Sequence, residues 1–352
     1  MEAKVLTGEH RDIWNDFVSS SAHGSILQGW EWGEAKRGFW QPIRLALFDG
    51  PRIVAGISIL KRPLPLGKSL FYAPRGPIVD INNKKLLDVL LLSVCLEARK
   101  HGAIALKIDP EIEESEEVDR KLRSLGFIKK KKQVQPRTTF YLDIQKDVNE
   151  LLVAFEEKTR YNIRLSEKKG VEVRDESSEA GVGKFYKIYR ETAGRENFLI
   201  HPLSYYLKIK ELMMDKDLAR LFIAYHEGVP IAGVFIFCFG DKIWYMYGAS
   251  ANDGRNVMPN HALHWHIIKW AKERGYRTYD LWGIPSNPTE KHPLWGVYRF
   301  KKGFNGRLVK YIGVYDLPFQ PVLYHLLDKG MTLWQNLRSL IKKGRIEDSL
   351  AE

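Results

Sequence analysis

The sequence predicts a mixed α/β (α+β) protein made of two similar domains in tandem, and three observations carry that prediction. The chain has 352 residues, long for one hydrophobic core and natural for two. One order of elements, hairpin then strand then helix then strand, occurs twice. The two copies also keep nearly the same spacing, from Gly56 to Gly102 in the first and from Gly233 to Gly275 in the second.

In the first copy, RLALFDGPRIVAGISIL (Arg44 to Leu60) is two β-rich runs around Asp49-Gly50, a strong hairpin turn. A loop with Pro63, Pro65 and Gly67 leads to SLFYAPRGPIVD. Lys84 to Lys100 then has helical spacing (Leu87, Leu90, Leu91, Val94, Leu96, Ala98) and stops at Gly102. Ala103 to Ile108 reads as a buried strand ending at Asp109-Pro110. The second copy has a hairpin turning at Glu227-Gly228, then an apolar strand, Lys242 to Ser250. Its helix covers Pro259 to Arg274, with Leu263, Ile267, Trp270 and Ala271 on one face, and its last strand Tyr276 to Trp282. Between the copies lie a charged stretch (Glu111 to Arg137), a strand (Thr138 to Asp143) and a helical region. Asp147 and Glu150 open that region as a capping box, and it runs to Lys169.

Composition narrows the class. A content of 44% hydrophobic and 12% aromatic residues is globular. Lys plus Arg number 55 against 43 Asp plus Glu, a net +12 that favours an anionic partner such as nucleic acid, a phosphate-bearing substrate or an anionic lipid surface. Cys95 and Cys238 both sit in apolar runs and read as small buried hydrophobes, with no disulfide framework or zinc spacing. The polar N-terminus is unlike a signal peptide, and the longest apolar run, Val89 to Leu96, is too short to span a bilayer. A reduced, cytoplasmic, soluble protein is expected.

Several stretches carry candidate chemistry. Tyr279 to Gly306 leaves a strand end, crosses a loop marked by Gly283, Pro285, Pro288 and Pro293, and enters an aromatic–basic segment, Trp295 to Phe304. A rigid loop after a strand is where an α/β domain places chemistry, although a solvated Lys301-Lys302 pair on an ordinary loop fits the same letters. Arg160, Arg164 and Lys168 share one helix face at i, i+4 and i+8, as an anion-binding stripe or a solvated one. His261 and His264 share a helix face while His266 does not, and without an evident third ligand no metal is expected. A tail helix over Pro321 to Lys343 has Val322, Leu326, Leu333, Leu337 and Leu340 on one side and a basic end (Arg338, Lys342, Lys343, Arg345). It is expected to dock on one of the domains, with an anionic membrane surface as the alternative partner.

The hairpin–strand–helix–strand units resemble the acyl-CoA N-acyltransferase (GNAT) fold. Acyl-CoA enzymes of that fold place a glycine-rich turn before the central helix, so that backbone N–H groups cradle a pyrophosphate. The equivalent turns here, ASANDGRNVMPN and GPIVDINNKK, lack that pattern. The whole chain resembles the Fem-type (FemA/FemB/FemX) aminoacyltransferases of peptidoglycan bridge formation. The resemblance is carried by LQGWEWGEAKRG (Leu27 to Gly38), FYAPRGPIVD (Phe71 to Asp80), LKIDPE (Leu106 to Glu111) and KTRYNIRLSEKKGVEV (Lys158 to Val173). It continues through IWYMYGAS (Ile243 to Ser250), YDLWGI (Tyr279 to Ile284) and YRFKKGF (Tyr298 to Phe304), in family order over almost the whole chain.

The resemblance implies two GNAT-like domains, 1–145 and 146–316, and a C-terminal helix, 317–352, packing back on the first. It implies transfer of an amino acid from aminoacyl-tRNA to an amine of the stem peptide of a UDP-linked or lipid-linked precursor, without a cofactor. A monomer at the inner face of the cell membrane, with peripheral membrane contact, is the expected setting. After Gly170 the chain has no room for the helical arm of some members, so it is similar to the compact ones. Lys36 matches the lysine used against the precursor's phosphates, and Tyr72 an aromatic lining the precursor groove. Asp109 matches an acidic residue at the acceptor site, and Lys301 the lysine near the reacting ester, with Phe300 beside it. Arg75, on a rigid turn, faces the groove or makes a turn salt bridge. Tyr247 joins the substrate-binding set, and Arg160, Arg164 and Lys168 are the implied tRNA contacts. His201 stands where compact relatives carry an arginine. A neutral histidine binds phosphate less well than a guanidinium fork, and Arg195 is expected to compensate.

The residue chemistry is compatible. Aminolysis of an ester needs a neutral amine, a stabilised oxyanion and a proton for the leaving ribose oxygen. The donor ester is already activated, so no serine or cysteine nucleophile is required. Lys301 can stabilise the oxyanion, and Asp109 can hold or deprotonate the ammonium, although Asp109 equally fits a strand-end cap. Two other readings remain: an acyl-CoA N-acyltransferase acting on a polysaccharide or small amine, and a non-catalytic tRNA or membrane-surface binding module.

Overall fold

In the computed structural model, which describes residues 1–330, the chain forms two compact units. Among the described residues the first comprises Met1–Arg137 and Lys310–Gly330, the second Thr138–Val309. The first unit is built on a seven-stranded sheet in the order β1-β2-β3-β4-β5-β14-β6. These strands are β1 (Glu2–Val5), β2 (Gln41–Asp49), β3 (Arg52–Pro63), β4 (Ser69–Arg75), β5 (Ala103–Pro110), β6 (Ile128–Lys129) and, from the end of the chain, β14 (Tyr315–Pro318). The predicted hairpin turn is present, with Gly50 in the left-handed region. Its helices are α1 (Arg11–Ser20), α2 (Trp30–Ala35), α3 (Lys84–Lys100) and α4 (Glu116–Ser124). Helix α3 starts where the Asn83 side chain accepts from the Leu86 N–H, and it buries Leu87, Leu90, Val94 and Ala98.

Two buried polar side chains fix the short elements of this unit. Gln28 bridges two strands: its Nε2 donates to the carbonyls of Ser58 (3.1 Å) and Pro74 (2.7 Å), and its Oε1 accepts from the Ser58 N–H. Arg44 on β2 donates to the Trp30 carbonyl (2.7 Å) and to Glu34 (2.9 Å), with its guanidinium 3.8 Å over the Trp30 ring. This holds α2 in place and so aims Lys36, the residue that ends it.

The second unit has its own seven-stranded sheet, β13-β7-β12-β11-β10-β9-β8. Its strands are β7 (Thr138–Asp143), β8 (Glu172–Asp175), β9 (Ala219–His226), β10 (Val229–Phe239), β11 (Lys242–Ser250), β12 (Thr278–Asp280) and β13 (Arg307–Lys310). Its helices are α5 (Val148–Ala154), α6 (Glu157–Lys168), α7 (Glu179–Glu196), α8 (Leu203–Leu212), α9 (Pro259–Glu273) and α10 (Trp295–Lys302). Leu263, Ile267 and Ala271 of α9 join Ile163, Phe155, Phe222, Val234 and Tyr279 in one core cluster.

The structure corrects several expectations. The border expected after residue 145 lies at Arg137/Thr138, because β7 pairs antiparallel with β12 of the second sheet. The return to the first unit comes at Lys310, earlier than 317, because β14 completes the first sheet between β5 and β6. The helix expected from Asp147 to Lys169 breaks after Ala154, where Phe155 turns to an extended conformation and buries its ring against Trp265 and Phe304. Asp147 caps α5 by accepting from the Asn149 N–H (2.8 Å). The segment read as a loop, Trp295 to Phe304, is mostly helix α10. The tail helix starting at Pro321 seats Tyr324 against Ile104 and Ala105 of the first unit, and Lys130 donates to Asp328 (2.8 Å). Its expected continuation, with Leu333, Leu337, Leu340 and the basic end, lies outside the described residues.

The two sheets differ at one place that matters. In the first, the parallel pair β4–β5 shifts register once, between Ser69 and Phe71, and then stays paired without interruption from Phe71↔Leu106 to Arg75↔Pro110. In the second, the equivalent pair β11–β12 matches only Lys242↔Thr278, Ile243↔Tyr279 and Trp244↔Asp280, after which the strands part while β11 runs on to Ser250. Packing in the first unit is tight where β3 meets α1. A Cβ on Gly56 would lie 2.5 Å from the Trp14 ring and 3.0 Å from the Leu45 carbonyl oxygen. Gly56→Val is therefore expected to destabilise the protein by about 1–3 kcal/mol, read as a lower midpoint in urea unfolding with an unchanged slope.

Candidate functional site

In the second unit the parting of β11 and β12 is occupied by Lys301. It projects from α10, is only 5% exposed, and its Nζ donates to the carbonyls of Trp282 (3.2 Å) and Gly283 (2.8 Å). The ring of Tyr245, on the β11 side, lies 5.1 Å from Nζ. Trp282 adopts a left-handed conformation (φ 59°), which turns the chain out of β12 and brings both carbonyls to the lysine. Burial lowers the Lys301 pKa to about 7, and the nearby Asp280 carboxylate opposes that shift. An ammonium that gives up its proton near neutrality can serve as a proton donor as well as a positive charge.

Beside it opens a cavity of about 470 Å³ lined by Thr159, Asn162, His261, Phe300 and the Trp295 and Tyr298 rings, with Lys158, Arg299 and Lys302 among its walls. Trp295 and Tyr298 stack at 5.3 Å. Phe300 packs edge-on against His261 (5.1 Å) and His264 (5.2 Å). Burial keeps these histidines neutral, with the His261 pKa lowered to about 4 and that of His264 well below its usual value. The His261 ring nitrogen is 3.2 Å from the Asn162 amide, His264 bonds the Tyr279 hydroxyl (2.9 Å), and the His266 ring lies against Phe222. Among the described residues no cluster of three His, Cys, Asp or Glu could hold a metal ion.

The structure divides the other cations of this unit. Arg160 turns inward and donates to the carbonyls of Val153 and Phe155, so it secures the end of α5, leaving Arg164 and Lys168 exposed on α6. Arg195 is also engaged, with Ser250 (3.1 Å) and Asn252 (2.6 Å). His201 is exposed, with its ring tilted against that of Tyr205 at 4.1 Å. The Tyr205 hydroxyl in turn meets that of Tyr247 (3.2 Å), within a cluster that includes Tyr189 and Tyr206. Arg195 therefore anchors the end of β11.

In the first unit Asp109 closes β5 and is 2% exposed. Its Oδ2 accepts from the Tyr72 hydroxyl (2.8 Å) and its Oδ1 from the Arg75 N–H (2.7 Å). Burial nonetheless raises its pKa above the usual carboxylate value. Arg75 is turned inward, donating to the Pro136 carbonyl (2.7 Å) and lying 4.4 Å over the Tyr311 ring. Tyr72 also accepts from Gln135 (3.2 Å) and packs against Trp40. Lys36 lies 4.4 Å over the Trp32 ring, and burial lowers its pKa to about 8. Sequence reasoning named Lys36, Tyr72, Arg75, Asp109, Phe300 and Lys301 but missed Trp40, Gln135, Thr139, Tyr245 and Asp280. Only Asp280, a carboxylate two residues before a tryptophan at a strand end, left a local signal.

Two sheet-and-helix units repeated in one chain, the second with a splayed parallel pair, define a tandem GNAT-like acyltransferase fold. The tandem GNAT protein of the clavulanic acid pathway shares that fold (TM-score 0.57, 12% identity, 90% of this chain and 98% of that one). The crystal structure of FemX is similar over 93% of this chain and 99% of that one, with a TM-score of 0.85 and 27% identity. The model of the FemAB family matches residues 10–124, 124–227 and 216–329. The chain belongs to the FemAB family and is an aminoacyltransferase of peptidoglycan bridge formation. Curated relatives include the lipid II:glycine glycyltransferases of Staphylococcus epidermidis (28% identity, 94% of this chain and 95% of the relative) and Staphylococcus aureus (28%, 94% and 96%).

Burial of Lys301 has a consequence for folding. Its pKa of about 7 in the native state lies below the roughly 10.4 of an unfolded lysine. Between those values the unfolded chain binds more protons, so this group makes stability rise with pH, and its cost is fully present below pH 7. Lys301→Met should flatten that rise, measured as urea unfolding free energies across about pH 6 to 10.

Proposed function

We propose that the protein takes its acyl group from the 3′-terminal ester of an aminoacyl-tRNA and passes it to an amine of the stem peptide of a lipid-linked peptidoglycan precursor. The observation that carries this reading is the placement of Lys301, buried between two carbonyls where β11 and β12 part, next to an aromatic cavity with cationic walls. The stacked Trp295 and Tyr298 offer a surface for a nucleobase, and Lys158, Arg299 and Lys302 offer charge for the adjoining phosphates. Exposed Arg164 and Lys168 extend that charge along α6. Tyr247 and His201 belong to the neighbouring tyrosine-rich region of the unit.

The reaction forms an amide bond and breaks the ester bond to the ribose oxygen. The neutral amine attacks the ester carbon, negative charge builds on the carbonyl oxygen, the nitrogen gives up one proton as the amide forms, and the leaving ribose oxygen takes one up. Lys301 in its ammonium form stabilises that charge and can deliver that proton, and its lowered pKa suits the second task. In the first unit Lys36, beside Trp32, would take precursor phosphate. Tyr72, held by the buried Asp109, would line the groove for the peptide. With both its oxygens engaged, Asp109 acts through Tyr72 in this reading. Arg75 shapes the turn from within.

Lipid II in the names of the relatives, with the +12 charge of this chain, supports a lipid-linked acceptor and work at the cytoplasmic face of the membrane. Among the described residues no helix is long and apolar enough to cross it. Acyl-CoA as donor has less support. The turn before α9 holds Gly254 as its one glycine and leads into Pro259, which has no N–H to give a pyrophosphate.

Incubation with a panel of charged tRNAs and with lipid-linked and UDP-linked precursors tests the reading, and no transfer with any combination would sink it. Lys301→Ala is expected to lower kcat by about 10²–10³. Replacing Lys158, Arg299 and Lys302 together by alanine should weaken tRNA binding and reduce the slope of log affinity against log salt by roughly 2–3, measured by filter binding from low to high salt.

A further inference from the structure

We infer that Asp280 is a positioning residue for Lys301: with Thr139 it holds the 280–283 turn in the shape that presents two carbonyls to the lysine, and it supplies the nearby negative charge. The inference rests on the reading that Lys301 serves the transfer, and it adds two side chains that lie outside the aromatic–basic motif.

Asp280 ends β12 and is fully buried. Its Oδ1 accepts from the Trp282 N–H (2.7 Å), a side-chain-to-backbone bond two residues on, and from the Thr139 hydroxyl. Thr139 lies on β7, the strand next to β12, and its Oγ1 is also 3.1 Å from the Trp282 carbonyl oxygen. The left-handed conformation of Trp282 is strained for a residue with a Cβ. The carboxylate of Asp280 offsets that strain by capturing the Trp282 N–H. Without the turn, the Trp282 and Gly283 carbonyls would not converge on Nζ.

The charge argument runs in the same direction. The titratable groups facing Lys301 are Asp280 from β12, Tyr245 from β11 and His264 from α9. Burial keeps Tyr245 protonated and His264 neutral, so Asp280 carries the negative charge of the set. A fully buried carboxylate is costly unless charge or hydrogen bonds compensate it, and a strand end needs no carboxylate for packing. Its presence at the foot of the lysine is explained if it sustains the ammonium against burial.

Asp280→Asn separates the two effects, since an asparagine keeps the Oδ1 acceptor and removes the charge. The Lys301 titration can be followed by Nζ-detected NMR on protein labelled with ¹⁵N-lysine, with the signal identified by its loss in Lys301→Arg. In Asp280→Asn the Lys301 midpoint is expected to fall by about one pH unit, a tenfold loss of proton affinity. The alkaline limb of the transfer rate should move with it, while KM for the tRNA stays within about twofold. Thr139→Val, which keeps the charge, should lower kcat with a smaller change of midpoint. An unmoved midpoint in folded Asp280→Asn would overturn the inference. A midpoint that moves in a protein showing no transfer with any donor and acceptor would support the inference and remove the functional reading instead.

Discussion

The second unit is organised around the early parting of a parallel strand pair. After Trp244 and Asp280 the hydrogen-bond ladder between β11 and β12 stops, and the backbone beyond β12 is left without its partner on the β11 side. A buried carbonyl with no partner costs about 1–3 kcal/mol, so something must fill the gap. Lys301 does so for Trp282 and Gly283, at the cost of burying its own charge. The lowered pKa follows from that compromise: the gap that demands a donor also removes water from it, and an ammonium held in that way gives up its proton near pH 7. In the first unit β4 and β5 remain paired to their ends. There polar groups collect instead around a buried carboxylate that Tyr72 and the Arg75 backbone satisfy.

Cations serve two different purposes in this protein. Arg44, Arg75, Arg160 and Arg195 aim their guanidinium groups at backbone carbonyls or neighbouring polar side chains and fix the ends of helices and turns. The planar, multiply donating guanidinium suits that work, and its charge is partly spent on dipoles. The lysines Lys36 and Lys301, each near an aromatic ring, are set apart by pKa values that burial lowers to about 8 and about 7. The excess of positive charge over the chain points to anionic partners, but the residues available to meet them are fewer than the composition implies.

Much of the fold was legible. Alternating apolar runs around Asp49-Gly50 and Glu227-Gly228 became hairpins, and the apolar spacing of Leu87, Leu90 and Val94, and of Leu263 and Ile267, became buried helix faces. These signals are local, set by turn conformations and by the period of the element. The unit borders were less legible, because strand partners lie far apart in sequence. Nothing local in Thr138–Asp143 says that it pairs with Thr278–Asp280, or in Tyr315–Pro318 that it pairs with Ala105–Ile108. The cationic stripe of α6 was legible as a spacing, but the helix break at Phe155 placed carbonyls within reach of Arg160 and took it out of the stripe.

By itself, the sequence determined the two-fold repeat of elements, the family to which the chain belongs and the side chains that carry reactive groups, because propensity, periodicity and motif order are properties of neighbouring residues. Only the tertiary structure decided what those side chains can do. A pKa is set by burial and by charges brought from other strands and helices. Lys301 and Lys302 are adjacent and chemically identical, yet one is buried between two carbonyls and the other is exposed at a cavity wall. The difference comes from α10, which turns Lys301 inward to the place where β11 and β12 part.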